Sequence, residues 1–321
     1  MVGRQVAGLI LKFSLLAGSL FFFATVASAN SFSILSQNMN RLFDDVDDGN
    51  KEKVIATNRF KRRITMAAKK FTGAFQLPDV IALQEVENLN VLQQLADSIK
   101  SSHGVHYRSA LIPGLDISGI NTGFLINSTF QLNKLEQLFV AQNVPGKDQP
   151  LFTRPPLLVE LCRYNNCVTV INLHLRSMRG IDSRKSSKRV AEKRLHQAET
   201  LARWVDRYQQ VNPSSPLMLI GDFNALTPSD EYVDVAGIIG GYPVTDKVKY
   251  PGRDLIVKDL FDLTRDIPQK NRYSYIFRQK KQQLDYLFVN QPLREKLISI
   301  EFSRINYRFS DHAGLLARFD W

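Results

Sequence analysis

The sequence predicts a single α/β domain, and three observations carry that expectation. Short apolar runs at 80–83, 168–173 and 217–220 have the length of buried strands and stop abruptly at polar residues. Between them lie stretches with helical periodicity, such as Phe60, Ile64, Ala67, Ala68 and Phe71. No linker, low-complexity tract or repeat of fixed period interrupts the 321 residues, and 44% hydrophobic content is enough for a full core.

Residues 1–29 stand apart. Arg4 and Lys12 form a basic start, an apolar run covers 13–26, and Ala27-Ser28-Ala29 is an A-x-A cleavage site. This is the pattern of a secretory signal peptide. A retained anchor is the alternative, but the run is shorter than the roughly 20 apolar residues of a membrane span. No Cys lies beside the site, which argues against a lipoprotein, and no later segment resembles a transmembrane helix. The mature domain is therefore expected over 30–321, as a monomer exported to the periplasm or the medium.

The chain holds 42 basic and 31 acidic residues, net +11. Removing 1–29 takes away two basic residues and no acidic one, so the mature net charge is +9. Such a basic exported protein favours polyanionic partners: nucleic acid, an anionic lipid surface or a cell-wall polymer. The two cysteines, Cys162 and Cys167, flank a short turn between apolar runs. In an oxidising compartment they are expected to pair, closing a loop worth only about 2 kcal/mol. Two thiols without a nearby His pair argue against a zinc site.

In chain order, residues 31–37 alternate apolar and polar, a first strand ending at Asn38-Met39-Asn40. A helix follows over about 55–75, its outer face carrying Arg59, Lys61, Arg62, Arg63, Lys69 and Lys70 as solvated charge. The strand at 80–83 ends in Gln84-Glu85-Val86, and Leu89, Leu92, Ala96 and Ile99 mark a second helix. Strands at 106–110 and 123–126 enclose a loop with Gly114, Asp116 and Gly119. Arg154-Pro155-Pro156 leads into the cysteine hairpin, whose second strand delivers His174. A basic, turn-rich stretch covers 179–189, and a helix covers 190–208. The strand at 217–220 ends in Gly221-Asp222-Phe223-Asn224. On an extended backbone Asp222 and Asn224 point to one side, with Phe223 turned into the body. An Asx turn capping the strand is the structural alternative. Irregular chain rich in Gly and Pro follows, then a hairpin of 273–277 and 284–289 around residues 278–282. Ser310-Asp311-His312 precedes a last strand at 315–319.

The polar strand ends Asn38, Glu85, His174, Asp222 with Asn224, and Asp311-His312 recur too often to be caps alone. Asp285 adds a carboxylate inside the apolar run 284–288, which requires a partner. Carboxylates, imidazoles and amides of this kind suit hydrolysis: a base for water, cationic donors for developing charge, and hard oxygen ligands for a metal.

The order Asn38, Gln84-Glu85-Val86, Asn172-Leu173-His174-Leu175, Gly221-Asp222-Phe223-Asn224, Asp285, Ser310-Asp311-His312 resembles the endonuclease/exonuclease/phosphatase superfamily, the deoxyribonuclease-I-like fold. The resemblance spans 31–321. The lead-in at Arg154-Pro155-Pro156, Gln197-Ala198 and Tyr273-Ser274-Tyr275 look most like its secreted bacterial nucleases. It implies a four-layer α/β sandwich, two facing mixed β-sheets flanked by helices. It also implies phosphate-ester hydrolysis with magnesium, manganese or calcium being the alternatives. By the same resemblance Glu85 is the principal metal ligand, helped by Asn38 and Asp311. Asp222 deprotonates water, and Asn224 holds that water or a phosphate oxygen. His312, steadied by Asp285, stabilises the phosphorane together with His174 and Arg154. Two positions depart from the pattern. The strand facing His174 carries no acid, Asp116 being the nearest candidate, and Tyr286 stands where secreted nucleases often have His.

Sphingomyelinase-like and inositol-phosphate phosphatase-like enzymes share this core and are the alternatives; a non-catalytic nucleic-acid-binding protein on the same fold is a further one. The basic stretch with Arg179, Arg184, Lys185, Lys188, Arg189, Lys193 and Arg194, and the pair Lys280-Lys281, lean toward a nucleic-acid backbone. Arg184, Lys185 and Lys188 are expected to touch its phosphates.

Overall fold

The computed structural model describes residues 31–49, 51–226 and 230–321; the expected signal peptide at 1–29 lies outside them. Two six-stranded mixed sheets dominate. The first is built from β1 (Ser31–Leu42), β2 (Val80–Val86), β3 (Tyr107–Ala110) and β4 (Asn121–Asn127), with two strands from the far end of the chain. The second contains β5 (Gln131–Gln137), β6 (Leu157–Arg163), β7 (Asn166–His174) and β8 (Leu217–Asp222), with the short β9 (Phe261–Asp262). A separate hairpin, β10 (Tyr275–Phe277) and β11 (Lys280–Gln282), leads into β12 (Asp285–Val289), which joins the second sheet. β13 (Leu297–Phe302) and β14 (Leu315–Asp320) return to the first. The strand orders are β13-β14-β1-β2-β4-β3 and β5-β6-β7-β8-β12-β9.

Each sheet has one parallel pair at its centre, β1 with β2 and β7 with β8; the other pairings among the described residues are antiparallel. A parallel pair needs a crossover. Helix α1 (Thr57–Thr72) makes the first and α3 (Ser187–Val211) the second. Helix α2 (Leu89–His103) starts where the Asn88 side chain accepts the Val91 N–H and stops at left-handed Gly104. Two short helices, α4 (Val235–Gly240) and α5 (Gln291–Arg294), complete the set.

Three apolar clusters define four layers. Phe60, Ile64 and Phe71 of α1 and Val91, Leu95 and Ile99 of α2 pack on Leu35, Ile81 and Leu125 of the first sheet. Ile34, Val80 and Phe124 meet Val159, Val170 and Ile220 between the sheets. Ala198, Leu201 and Val205 of α3 cover Ile171, Leu219 and Phe223. A buried amide pair crosses the inter-sheet layer: Gln84 Nε2 donates to Asn172 Oδ1 (2.7 Å). Asn172 Nδ2 in turn donates to the carbonyls of Leu83 and Gly123 (3.0 Å each).

Several elements differ from the sequence expectation. The expected hairpin of 273–277 with 284–289 is instead β10 with β11, closed by left-handed Arg278 and Gln279, while β12 pairs with β8. The apolar content of 284–289 reflects a central strand covered on both faces. The edge strands β5 and β13 escape the period-2 test because each contains a bulge, at Leu132/Lys134 and Leu297/Ser299. β1 runs on past Asn38 to Leu42 through left-handed Asn40 and Arg41. The cysteine hairpin holds: Cys162 and Cys167 are cross-strand partners joined by a disulfide.

Candidate active site

The carboxyl ends of both central parallel pairs lie together. That is where α/β sheets bind ligands, because no strand continues there and backbone and side chains are open to a cleft. β2 delivers Glu85 by a local irregularity. Gln84 and Val86 are both fully buried, and Glu85 between them takes a left-handed φ of 57° that turns its carboxylate to the cleft. Such a conformation is costly for a non-Gly residue and is found at functional sites. On β1, Asn38 Nδ2 donates to Asp222 Oδ2 (3.0 Å) and Glu85 Oε1 (3.4 Å), while its Oδ1 accepts the Asn40 N–H (2.9 Å). Arg63 of α1 clamps this turn, donating to the carbonyls of Met39, Asn40 and Arg41. The sequence pattern puts Arg63 on a solvated face, and nothing in it separates this residue from its basic neighbours.

On the second sheet His174 and Asp222 are register partners in the parallel ladder. His174 Nε2 lies 3.6 Å from Asp222 Oδ2 and 3.8 Å from Glu85 Oε1. Gly221 allows the close approach: a Cβ there would overlap the Leu173 backbone, and its φ is 137°. Asp285 stands opposite Asp222 on β12. Its Oδ2 is 2.7 Å from Nδ1 of His312, whose Nε2 reaches to 4.0 Å from Asp222 Oδ2. Ser310 Oγ donates to the Asn38 carbonyl (2.7 Å) and accepts the His312 N–H (3.0 Å), tying the last loop to β1. Tyr275 packs on the His312 ring with centroids 5.1 Å apart.

The extended geometry expected for Asp222 and Asn224 is corrected. Asn224 is left-handed (φ 50°), and its N–H bonds Asp222 Oδ1 (2.8 Å) in an Asx turn. The cap and the site coexist, since Oδ1 serves the turn and Oδ2 faces His174, His312 and Asn38. Asn224 Nδ2 donates to the Leu175 carbonyl (3.2 Å), and Phe223 is buried in the body as expected.

Burial pushes Asp222 up, Asp285 and Glu85 add to this, and His312 opposes it; the carboxyl reaches about 7. Burial alone would lower His312, but Asp285 beside it, together with Asp222 and Asp311, outweighs burial and carries it up to about 10. Burial, then Arg154 and His312, push His174 well below its ordinary value. His312 is therefore an imidazolium and His174 a neutral ring. His174 so makes no ion pair with the two carboxylates it faces. Its Nε2 faces them, and its buried Nδ1 has no hydrogen-bond partner among the described residues.

Asp116 is not that partner. It pairs with Arg154 Nη1 (2.9 Å), and Arg154 also donates to the carbonyls of His174 and Leu175 (3.1 Å each). Arg154 thus braces the end of β7 while lining the cleft. Arg194, expected within the phosphate-contacting run, is buried: it pairs with Asp230 (2.8 Å) and donates to the Asn224 carbonyl (2.7 Å). The cleft measures about 760 Å³, and Glu85, Asp311, Asn224, Tyr275 and Phe277 line it. From the basic stretch, residues 177–182 reach it; Arg184, Lys185 and Lys188 lie beyond its rim.

Among the described residues no group of three or more His, Cys, Asp or Glu side chains is placed to hold a metal ion. Glu85 and Asp311 offer carboxylates to the cleft, and the Asn38 amide adjoins Glu85. Few, hard and open oxygen donors fit magnesium, which keeps water and takes phosphate oxygens to complete its shell.

The sequence profile of the Endonuclease/Exonuclease/phosphatase family matches residues 33–312. No curated protein matches the chain in sequence. The fold is similar to that of an endonuclease/exonuclease/phosphatase from Bacteroides vulgatus (14% identity, 90% of this chain and 98% of that one, TM-score 0.58). It is also similar to D. rerio TDP2 complexed with single strand DNA product (15% identity, 91% and 99%, TM-score 0.56). ANGEL2, a 2',3'-cyclic phosphatase, in complex with adenosine-2',3'-vanadate is a third (16% identity, 90% and 95%, TM-score 0.56).

Proposed function

The chain belongs to the endonuclease/exonuclease/phosphatase family, whose members are phosphoric ester hydrolases, and on that premise we propose an exported, metal-dependent nuclease. One observation carries the reading. A single oxygen, Asp222 Oδ2, sits within 4.0 Å of the Asn38 amide, a neutral His174 and a charged His312. A carboxyl held up to about 7 between such groups is poised to take a proton from water near neutral pH.

In this reading Asp222 accepts the proton of the attacking water. The Asn224 amide orients that water or a phosphate oxygen. The His312 imidazolium, fixed by Asp285, donates to a non-bridging oxygen as negative charge develops. His174 supplies a second, uncharged N–H. Glu85 and Asp311 would hold magnesium, with the Asn38 amide orienting Glu85, and the ion would supply positive charge to the phosphoryl group. Arg154 has further N–H groups for phosphate, and Arg184, Lys185 and Lys188 meet phosphates farther from the cut.

A polynucleotide is the substrate favoured by the +9 mature charge. Export to the periplasm or medium follows from the signal pattern at 1–29, and the Cys162–Cys167 disulfide supports it. The deciding experiment incubates mature protein with plasmid DNA, single-stranded RNA, sphingomyelin and a phosphomonoester, with and without magnesium. Magnesium-dependent cleavage of DNA or RNA is expected. Turnover of sphingomyelin or the monoester alone would replace the nuclease reading with a lipid phosphodiesterase or phosphatase.

A further inference from the structure

Beside the cleft lies a second concavity of about 540 Å³, lined by Arg265, Arg272, Lys280 and Lys281 among others. It shares Leu226 and Gln282 with the cleft, so the two adjoin. Its four cations face one lining carboxylate, Asp262, which is occupied by Thr264 (2.5 Å) and Arg265 (3.5 Å).

Three of the four cations are held rather than loose. Arg272 Nε and Nη2 donate to the Ile267 carbonyl (3.1 and 2.8 Å). The Arg265 guanidinium lies 4.4 Å from the Tyr242 ring centroid, and Lys281 Nζ 4.2 Å from that of Tyr273. Lys280 is exposed at the edge of β11. Positively charged groups fixed around a concavity bind an anion at less entropic cost than a solvated face does.

The wall between the two spaces is the β10–β11 hairpin. Its cleft side carries Tyr275, against His312, and Phe277, which is 47% exposed. Exposed rings beside a line of cations suit a single strand, whose bases stack while its phosphates track the charges.

We propose that the Arg265–Arg272–Lys280–Lys281 pocket is a second phosphate subsite, holding a backbone phosphate of a polynucleotide whose scissile phosphate lies at Asp222. The strand crosses the β10–β11 hairpin between the two. This rests on the nuclease reading for the substrate, and it adds a path on one side of the cut: over this hairpin.

The test uses the Lys280→Ala/Lys281→Ala double variant, both residues being exposed on a surface hairpin. Binding of a fluorescent 12-nucleotide single strand is followed by anisotropy in chelator, from low to high salt. Hydrolysis of bis-p-nitrophenyl phosphate with magnesium reports the catalytic centre. The expected result is at least fivefold weaker binding and unchanged turnover of the small ester. The log–log salt slope should fall by about 0.7 for each lysine that no longer meets a phosphate. Equal binding by variant and wild type overturns the subsite while leaving the nuclease reading intact. A wild type that cuts no polynucleotide sinks the nuclease reading, and the binding comparison still decides the subsite. Variant-sensitive binding to phosphatidylglycerol vesicles but not to the oligonucleotide overturns it in favour of a membrane surface.

Discussion

Asp285 and Asp222 stand directly opposite on β12 and β8, both buried, and one imidazole spans them. His312 Nδ1 is 2.7 Å from Asp285, and its Nε2 is 4.0 Å from Asp222. Like charges at facing ladder positions repel. The charge on His312 makes this pair tenable, and it gives the pair different tasks: one carboxylate orients the ring, the other remains available to water.

The pH dependence of stability follows from that arrangement. His312 rises from its ordinary 6.5 to about 10 in the fold. The stability it contributes is therefore fully present below about pH 6.5 and lost as pH rises through about 10. Thermal unfolding of the wild type should decline over that window, and Asp285→Asn should flatten the decline while reducing turnover on the order of 10²-fold. Parallel curves for the two proteins would contradict the pairing.

Asp222→Asn separates activity from folding. Turnover should fall roughly 10²-fold or more. The wild-type carboxyl moves from 3.8 up to about 7, so the fold loses stability as pH rises between those values. In chelator at pH 8 the variant should unfold at a temperature equal to or above the wild type's. A variant both inactive and clearly destabilised would mean that Asp222 is a structural cap alone.

Chelation offers a third check. The donors that Glu85 and Asp311 present to the cleft are hard oxygens, with no thiolate among them. Exhaustive EDTA should abolish phosphodiester hydrolysis, and magnesium or manganese should restore it. Glu85→Gln should raise the magnesium concentration needed for half-maximal rate at least tenfold; an unchanged requirement would move the ligand role elsewhere.

Glu87 makes a prediction remote from catalysis. Burial, with Asp44, Asp48 and Glu52 nearby, pushes it up to about 7 from 4.5, although the Asp44 N–H bond opposes the shift. Stability should fall as pH rises between those values. Glu87→Gln keeps the side chain's shape and should restore on the order of 2 kcal/mol at pH 8, with little gain at pH 4. Equal gains at both pH values would refute the electrostatic origin.

Four residues of the candidate site are legible in the sequence because each stands where an unmistakable apolar run stops. Asn38, Glu85, His174 and Asp222 all stand at such ends, and family resemblance supplies their order. The illegible parts depend on packing between distant segments. Arg63 reads as one more solvated cation until α1 is docked on the turn at Asn40. Arg194 reads as part of a basic run until Asp230 is folded against it. β5 and β13 are hidden by bulges, and the β10–β11 hairpin by its short strands. The left-handed turn at Glu85 carries no signal, since it is not Gly; the one at Asn224 shows only as the Asx-turn alternative of Asp222 and Asn224.

The amide pair between Gln84 and Asn172 has a mechanical consequence. Glu85 follows Gln84 immediately, and His174 lies two residues after Asn172. The reaction centre is thus split between two slabs whose contact around this pair is mostly apolar and indifferent to sliding. Hydrophobic layers tolerate small lateral offsets; a donor–acceptor pair 2.7 Å long does not. Gln84 and Asn172 act as a dowel, fixing the offset of one slab against the other a few ångströms from where water must meet phosphorus. A sandwich with that dowel replaced by leucines could remain well packed and yet mis-seat its own catalytic groups.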